Sequence, residues 1–324
     1  MKRLLLLACL SPLGAAASAQ EPARPGTPVI TVGGTDYYSW EDYLGSNAFR
    51  AMSLRCGLPP VDPTLGNKLP PSDCTANHTT ISPQYNPSQG QINVQVVVHV
   101  IMNTNGQGAI SDAKVQSQID ILNEDFRAIA GSNGAPGTDT MIQFSLATVD
   151  PNGNPTNGIT RSTNNTWFND SGQYYNTLAW DTTRYLNIYT NQAGGALGYV
   201  PALPQNGIVG SKADRVVILW SSFGRNAPIG PPYNQGRTTT HEVGHYFGLY
   251  HTFQGGCAPV SNCYNNGDRI CDTNAEGQAH FGCPNSNSCS SPDPVTNYMD
   301  YTDDLCMNMF TSEQTNRMRC TITN

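Results

Sequence analysis

The stretch that decides the fold is Thr240–His251, which reads "THEVGHYFGLYH". Within it His241 and His245 stand four residues apart, so on a helix they project from one face, one turn apart. Two imidazoles placed in this way can hold one metal ion, and Glu242 can reach a water molecule beside that ion. The spacing therefore predicts a zinc-binding helix that also carries a carboxylate base.

The same stretch predicts where this helix ends. A straight helix would carry His251 about 9 Å beyond His245, at about 1.5 Å per residue, which is too far for both to bind one ion. Glycine adopts the left-handed backbone that turns a chain out of a helix. We therefore expect a break at Gly248 that returns His251 to the metal. Three histidines and one open position are typical of a catalytic zinc site.

Four segments around and beyond this stretch resemble the pappalysin family of metzincin metalloproteases. They are "GRTTTHEVGHYFGLYHTFQGGC" (Gly236–Cys257), "GDRICDT" (Gly267–Thr273), "NYMDYTDDLCM" (Asn297–Met307) and "FTSEQTNRMR" (Phe310–Arg319). The likeness covers residues 91–319 and is strongest from Gly236 onward. It implies an α+β catalytic domain of the metzincin type, in which a twisted mixed sheet with packed helices precedes a disulfide-rich C-terminal subdomain.

The resemblance also implies roles for residues outside the zinc helix. Met299 in "NYMDY" matches the methionine that lies in a turn beneath the zinc site, and Tyr301 matches the tyrosine that some metzincins bring to the zinc. Asp268 and Asp272 fall in a loop where the family suggests a structural calcium ion, and carboxylates suit that hard cation. A solvated acidic loop is the alternative interpretation of those two residues.

The residues together predict a secreted, zinc-dependent endopeptidase that acts on proteins or peptides. Zinc would polarise the scissile carbonyl and activate the attacking water. Glu242 would take the proton and pass it to the leaving amine, and Tyr301 would add a hydrogen bond as charge develops. A non-catalytic secreted binding protein on the same scaffold is the alternative, although such a protein need not retain Glu242. No feature that would capture a chain terminus indicates an exopeptidase.

Hydrophobic patterning upstream of the zinc helix predicts the sheet. Gln91–Met102 is apolar and β-branched at almost every residue, as expected of a buried strand, and His99 within it is most simply a core histidine. Ser111–Ile129 has the N-cap and the three- and four-residue spacing of an amphipathic helix. Further strands are expected at Ile142–Val149, Tyr185–Thr190 and Arg215–Trp220. A short edge strand in Gly195–Pro204 would bind substrate, with Leu197–Ala202 as the pairing stretch.

A cysteine early in the chain suggests a latent precursor. In "LRCGLPP" (Leu54–Pro60) the thiol of Cys56 is flanked by arginine and glycine, which resembles the cysteine switch of metzincin zymogens. A thiolate is a strong zinc ligand, so we expect Cys56 to fill the open zinc position until it is removed. Gly57 would let the backbone approach closely. The alternative is a Cys56–Cys74 disulfide that closes a small loop.

The N-terminus predicts export from the cell. Lys2 and Arg3 precede a short apolar run, and Ala17–Ala19 reads as a cleavage site, so residues 1–19 are expected to be a signal peptide. The run is short of the ~20 residues that a spanning helix needs, which disfavours a membrane anchor. Residues 20–90, rich in Pro, Gly, Asn and Ser, are expected to be a pro-segment and linker with an uncertain boundary. Residues 91–324 would be the catalytic domain, with subdomains 91–248 and 249–324.

Cysteine usage agrees with export. Seven of the ten cysteines lie between Cys257 and Cys320, and this density after a signal peptide indicates disulfides whose pairing the spacing does not determine. If Cys9 leaves with the signal and Cys56 binds zinc, eight cysteines remain for four bridges, provided that Cys74 is retained.

The net charge of the chain limits which partners it can bind. The net charge of −7 offers no basic stripe to neutralise phosphates, so nucleic acid is excluded as a partner. Attachment to a membrane surface through basic residues is equally unsupported.

Overall fold

A computed structural model describes residues 26–61, 74, 81–257, 259, 261 and 263–324. The predicted signal peptide, residues 1–19, lies outside the described residues. The strands are β1 (Ile30–Val32), β2 (Thr35–Tyr37), β3 (Ile92–Met102), β4 (Ile142–Leu146), β5 (Ile159–Thr163), β6 (Leu186–Asn191), β7 (Gly198–Tyr199) and β8 (Val216–Leu219). The helices are α1 (Trp40–Gly45), α2 (Asn47–Ala51), α3 (Asp112–Phe126), α4 (Asn165–Phe168), α5 (Tyr175–Leu178), α6 (Arg237–Tyr246) and α7 (Ser312–Thr323).

A mixed sheet built on the long strand β3 confirms the predicted α+β class. The strand order is β4-β3-β6-β8-β7, and β5 continues beyond β4 along the same edge of β3. All pairings are parallel except β7 with β8, which places an antiparallel edge strand beside the zinc helix. Residues 96–101 of β3 are buried, as the continuous apolar run predicts. The sequence pattern missed β5, whose "ITRST" lacks an apolar run.

Two helices pack on this sheet and define the core. Helix α3 begins after Ser111, whose hydroxyl accepts a hydrogen bond from the Lys114 amide. It ends at Phe126 because Ala128 takes a positive φ of 44°, so it is shorter than the pattern predicts. The Phe126 ring contacts Phe144 of β4 and Phe310 ahead of α7, with centroids 4.9 and 4.8 Å away. These aromatic contacts join the upstream sheet to the C-terminal part of the chain.

Part of the predicted pro-segment and linker is folded on the sheet. Residues 26–61 form the hairpin β1–β2 and the short helices α1 and α2. The Tyr43 hydroxyl donates to the carbonyl of Gly195, and the Trp40 ring meets Trp220 edge-on at 6.0 Å. The carbonyl of Val29 accepts a hydrogen bond of 3.0 Å from the Gln107 side chain. Single apolar side chains hold this segment on the sheet. Its sequence therefore has no long periodic pattern from which its fold could be predicted.

Four disulfides are present among the described cysteines. Three lie within the C-terminal region: Cys257–Cys289, Cys263–Cys271 and Cys283–Cys306. The fourth joins Cys74 to Cys320 in α7, which rules out the alternative Cys56–Cys74 bridge. Cys56 is left as a buried free thiol. In the described part of the chain, no helix has the length and apolar character needed to cross a lipid bilayer.

A buried ion pair joins α3 to the zinc helix. The guanidinium of Arg237 lies 3.0 Å from the Asp125 carboxylate, and both side chains are almost completely buried. The other Asp125 oxygen accepts a 2.6 Å hydrogen bond from the Thr240 hydroxyl. The first turn of α6 is therefore fixed to α3 by charge as well as by packing.

We expect Asp125→Ala to lower the free energy of unfolding by about 3–5 kcal/mol, because it leaves the Arg237 charge buried without its partner. Asp120→Ala on the exposed face of the same helix is the matched control, with an expected change within about 0.5 kcal/mol. Denaturant titration of both variants measures the difference. Equal stability of the two variants would contradict a stabilising role for the ion pair.

Candidate active site

The zinc-type motif lies on α6 and in the turn that follows it. The helix ends at Tyr246, and Gly248 has a φ of 92°, a conformation that residues with a side chain rarely adopt. The Gly248 carbonyl accepts a 2.8 Å hydrogen bond from the Gln205 side chain, a contact that the sequence pattern does not reveal. The turn carries the chain back so that His251 faces His241 and His245.

The three histidines converge at one point. The Nε2 atom of His245 lies 3.0 Å from the Nε2 atoms of both His241 and His251. The Nδ1 atom of His241 lies 2.7 Å from the Tyr298 carbonyl, and that of His245 lies 2.7 Å from the Leu249 carbonyl. A carbonyl only accepts hydrogen bonds, so these Nδ1 atoms carry the protons and their Nε2 lone pairs point inward.

This convergence fits a zinc ion. Burial lowers the pKa of all three imidazoles, that of His245 to about 4, so their neutral, metal-binding form is favoured. Inward lone pairs at such short distances repel one another unless a cation lies between them. The Cys56 thiol belongs to the same group, whose ligand atoms all lie within 4.8 Å of one another. Three nitrogens and one sulfur are a donor set that Zn²⁺ prefers.

The Met299 side chain supports the zinc helix from below. A Cβ atom placed on Gly244 would lie 2.5 Å from the Met299 sulfur, so only glycine leaves room for this packing. Asn297 accepts a hydrogen bond from the Met299 amide and is held by Gln314 of α7. Two of the segments that carry the family resemblance therefore meet directly under the site.

Glu242 is buried beside the three histidines. Neither of its carboxylate oxygens makes a hydrogen bond of good geometry among the described residues, although the Cys56 thiol lies close enough to interact with them. Burial raises the pKa of Glu242 to about 8, an effect that Cys56 and Arg55 only partly offset. Gly198 of the edge strand makes room for this side chain, because a Cβ atom there would lie 2.8 Å from the Glu242 Cγ. The sequence pattern gave no sign of that contact.

Tyr301 lies against the rings of His241 and His251. Its ring centroid is 4.9 Å from that of His251, and its hydroxyl lies 3.4 Å from the Cys56 carbonyl, to which it donates. The phenol therefore faces a peptide carbonyl at the centre of the site. Burial and the nearby Cys56 and Glu242 raise its pKa above the usual range, which keeps the hydroxyl protonated and able to donate.

The segment around Cys56 fills the cleft. The amide of Leu197 donates to the Leu54 carbonyl, and the amide of Gly57 donates to the Gly198 carbonyl, each at 2.8 Å. A Cβ atom on Gly57 would lie 3.1 Å from the Ala196 Cβ, which explains the glycine after the cysteine. The segment thus bonds to the sheet edge that was predicted to bind substrate.

Arg55 enters a closed pocket next to Cys56. Its side chain is fully buried, donates to the Thr238 hydroxyl at 3.0 Å and lies 3.6 Å from the Asp304 carboxylate. The guanidinium also stacks over the Tyr233 ring, 5.0 Å from its centroid. The pocket combines a buried acid, a hydroxyl and an aromatic face, all of which favour a cation.

Asp268 and Asp272, the predicted calcium ligands, have separate partners. The carboxylate of Asp268 accepts hydrogen bonds from the Ile270 amide and the Thr273 hydroxyl. That of Asp272 accepts from the Glu313 amide at the start of α7. Neither belongs to a group of potential metal ligands in the described part of the chain, so calcium binding there stays a prediction.

Comparison with known sequences finds a peptidase family and related extracellular metalloproteases. Residues 160–323 match the Peptidase M43 family, described as pregnancy-associated plasma protein-A. An extracellular metalloprotease of Pyricularia oryzae is 33% identical over 285 residues, which cover 82% of this chain and 87% of that protein. Extracellular metalloprotease 1 of Coccidioides posadasii is 36% identical over 241 residues, or 71% of this chain and 76% of that protein.

Solved structures show the same similarity. Mature mirolysin of Tannerella forsythia, in complex with a cleaved peptide, is 39% identical with a TM-score of 0.61, and the match covers 71% of this chain and 91% of that one. A promirolysin mutant from the same organism is 36% identical with a TM-score of 0.62, and the match covers 76% of this chain and 82% of that one.

The fit of Met299 under the zinc helix gives a prediction. Alanine normally stabilises a helix by about 1 kcal/mol relative to glycine. We expect Gly244→Ala to destabilise the protein instead, by about 1–3 kcal/mol, because the new methyl group overlaps the methionine sulfur.

Gly45→Ala in α1 is the control, since a Cβ atom there meets nothing within 4 Å. Thermal unfolding of both variants measures the effect. A Gly244→Ala protein as stable as the parent would show that this packing is not tight.

Proposed function

Because the chain belongs to the Peptidase M43, or pappalysin, family of metzincin metalloproteases, we propose that it is a secreted endopeptidase that uses one zinc ion and is made as a latent precursor. The family and the extracellular relatives identify a metalloendopeptidase, so the non-catalytic alternative is set aside. Export through residues 1–19 is part of the proposal, as is the assignment of each site residue.

The observation that carries the proposal is the meeting of three imidazole Nε2 atoms, 3.0 Å from His245 to each neighbour, beside the buried carboxylate of Glu242. His241, His245 and His251 would hold the zinc ion. When bound, the ion would polarise the scissile carbonyl and lower the pKa of the attacking water. The carbonyl partners of the imidazole Nδ1 atoms keep the rings oriented for this task.

Glu242 acts as the general base and then as the general acid. Its carboxylate lies beside the three imidazoles, where it would take a proton from the attacking water. The same proton can then pass to the leaving amine nitrogen. Once the Cys56 thiol leaves the cleft, the Glu242 oxygens become available to the attacking water.

Tyr301 assists by donating a hydrogen bond to the substrate. In the structure its hydroxyl faces the carbonyl of Cys56, which occupies the position that a substrate carbonyl would take. A protonated phenol there can stabilise the negative charge that develops on that oxygen. Substrate backbone would bond to the sheet edge at Leu197 and Gly198, where residues 54–57 now bond.

Latency follows from how residues 54–57 occupy the same cleft. The Cys56 sulfur lies within 4.8 Å of the three imidazole ligand atoms, so it can fill the coordination position that catalysis needs. Arg55 anchors the segment through Thr238 and Asp304. The promirolysin structure shows that a relative is also made as a precursor. Release of this segment would open the site.

The Arg55 pocket also indicates the substrate preference. A pocket that buries a guanidinium against Asp304 and the Tyr233 ring would accept an arginine or lysine side chain of a substrate once the segment leaves. We infer that the enzyme cleaves peptides with a basic residue next to the scissile bond.

The catalytic assignment predicts that Glu242→Gln lowers casein hydrolysis by about 10²–10⁴-fold, because the amide cannot take up a proton. The variant should keep stoichiometric zinc, measured by mass spectrometry of the metal. Glu41→Gln, at an exposed position, controls for the chemical change. Activity of Glu242→Gln within tenfold of the parent would refute the assignment.

The latency assignment predicts that Cys56→Ala gives an intact precursor with measurable peptidase activity, because the zinc position is no longer filled by sulfur. Ser53→Ala, at an exposed neighbouring position, should stay latent. Intact mass measured before and after the assay excludes activity that arises from processing. A fully latent Cys56→Ala precursor would reject the switch.

A further inference from the structure

A second group of potential metal ligands lies outside the active site. Glu276, His280 and Asp300 bring their ligand atoms within 4.8 Å of one another. Glu276 and Asp300 are completely buried, and the His280 side chain is 11% exposed. Disulfides Cys257–Cys289 and Cys283–Cys306 close the loops that carry this group, so its backbone is held in place. None of the assigned catalytic roles uses these residues.

The hydrogen bonds of His280 set the direction of its lone pair. Its Nε2 atom lies 2.8 Å from the Ser286 hydroxyl and 3.4 Å from the Asp293 carboxylate. The Asp293 carboxylate also accepts hydrogen bonds from the amide and the hydroxyl of Ser288, and it lies close enough to Nε2 to favour a proton on that nitrogen. With the proton on Nε2, the Nδ1 lone pair of a neutral imidazole points at the Glu276 carboxylate, 2.5 Å away.

The two carboxylates lie close to each other and to the imidazole of His280. The Oε2 atom of Glu276 and the Oδ2 atom of Asp300 make no hydrogen bond of good geometry within the described residues, although Thr252 and the two carboxyl groups approach one another. Buried, unpaired carboxylate oxygens are costly. A cation among the lone pairs of the three side chains would remove this cost.

We propose that Glu276, His280 and Asp300 form a second metal site, which binds a divalent transition-metal ion of the Zn²⁺ type through one imidazole nitrogen and two carboxylate oxygens. This donor set suits zinc, whereas calcium and magnesium prefer sites made of oxygen alone. The contacts of His280 Nε2 with Ser286 and Asp293 have the pattern that orients metal-binding histidines in proteins.

The position of the site indicates a structural task. Asp300 directly follows Met299, and its Oδ1 atom accepts hydrogen bonds from the amides of Tyr301, at 2.7 Å, and His280, at 3.2 Å. An ion bound there ties the loop around His280 to the turn that supports the zinc helix. The inference rests on these contacts alone and holds whether or not the catalytic assignments do.

Zinc stoichiometry tests the proposal. The full-length protein is stripped with a chelator, dialysed against Zn²⁺ and analysed by mass spectrometry of the metal. We expect two ions per chain in the parent, one in His280→Ala, one in His245→Ala and none in the double variant. Zinc should also raise the melting temperature of His245→Ala but not that of the double variant.

Two further measurements separate the outcomes. Ser286→Ala keeps the three ligands but loses a contact to Nε2, so we expect zinc to bind about 10–100-fold more weakly at this site. His280→Gln replaces His280→Ala if the alanine variant does not fold. The proposal is overturned if the parent and the His280 variant bind equal amounts of zinc. It is also overturned if calcium binds to the parent and to the His280 variant with the same stoichiometry as zinc.

Discussion

The structure depends on one constraint, which is that three imidazole nitrogens must meet at a single point. A helix alone cannot satisfy it, so the chain turns at Gly248 to bring His251 back. The Tyr298 and Leu249 carbonyls then fix which nitrogen of His241 and of His245 carries the proton. Because Tyr298 precedes Met299, the element that supports the zinc helix also orients one of its ligands. Packing and coordination geometry are therefore set by the same few residues.

Much of this arrangement is predictable because it rests on local spacing. The histidine spacing, the glycine break and the strand β3 follow from periodicity and backbone preference, and the family resemblance pointed to Met299 and Tyr301. The contacts of Gly198 with Glu242 and of Gly244 with Met299 are not predictable in this way, because they depend on distant segments meeting. The fold of residues 26–61 was not predicted for the same reason. The spacing of the cysteines likewise does not determine which of them form disulfides.

The cleft and the segment that fills it use the same chemistry. Residues 54–57 present an arginine, a thiol and two backbone groups to a pocket, a metal position and a sheet edge. Each of these features has a counterpart in a peptide substrate, except the thiol. An inhibitor built in this way can bind tightly without a special docking surface. The hairpin and the helices upstream add contacts that a short peptide lacks.

The Cys74–Cys320 bond gives this design a topological consequence. Residues 26–57 lie upstream of Cys74, whose sulfur is joined to α7 at the opposite end of the chain. A backbone cut between Gly57 and Cys74 lets the upstream fragment diffuse away. A cut beyond Cys74 leaves that fragment covalently attached, so that its binding to the cleft remains intramolecular. If residues 54–57 act as the proposed inhibitor, the position of the backbone cut therefore decides whether proteolysis liberates the enzyme or produces a nicked molecule that inhibits itself.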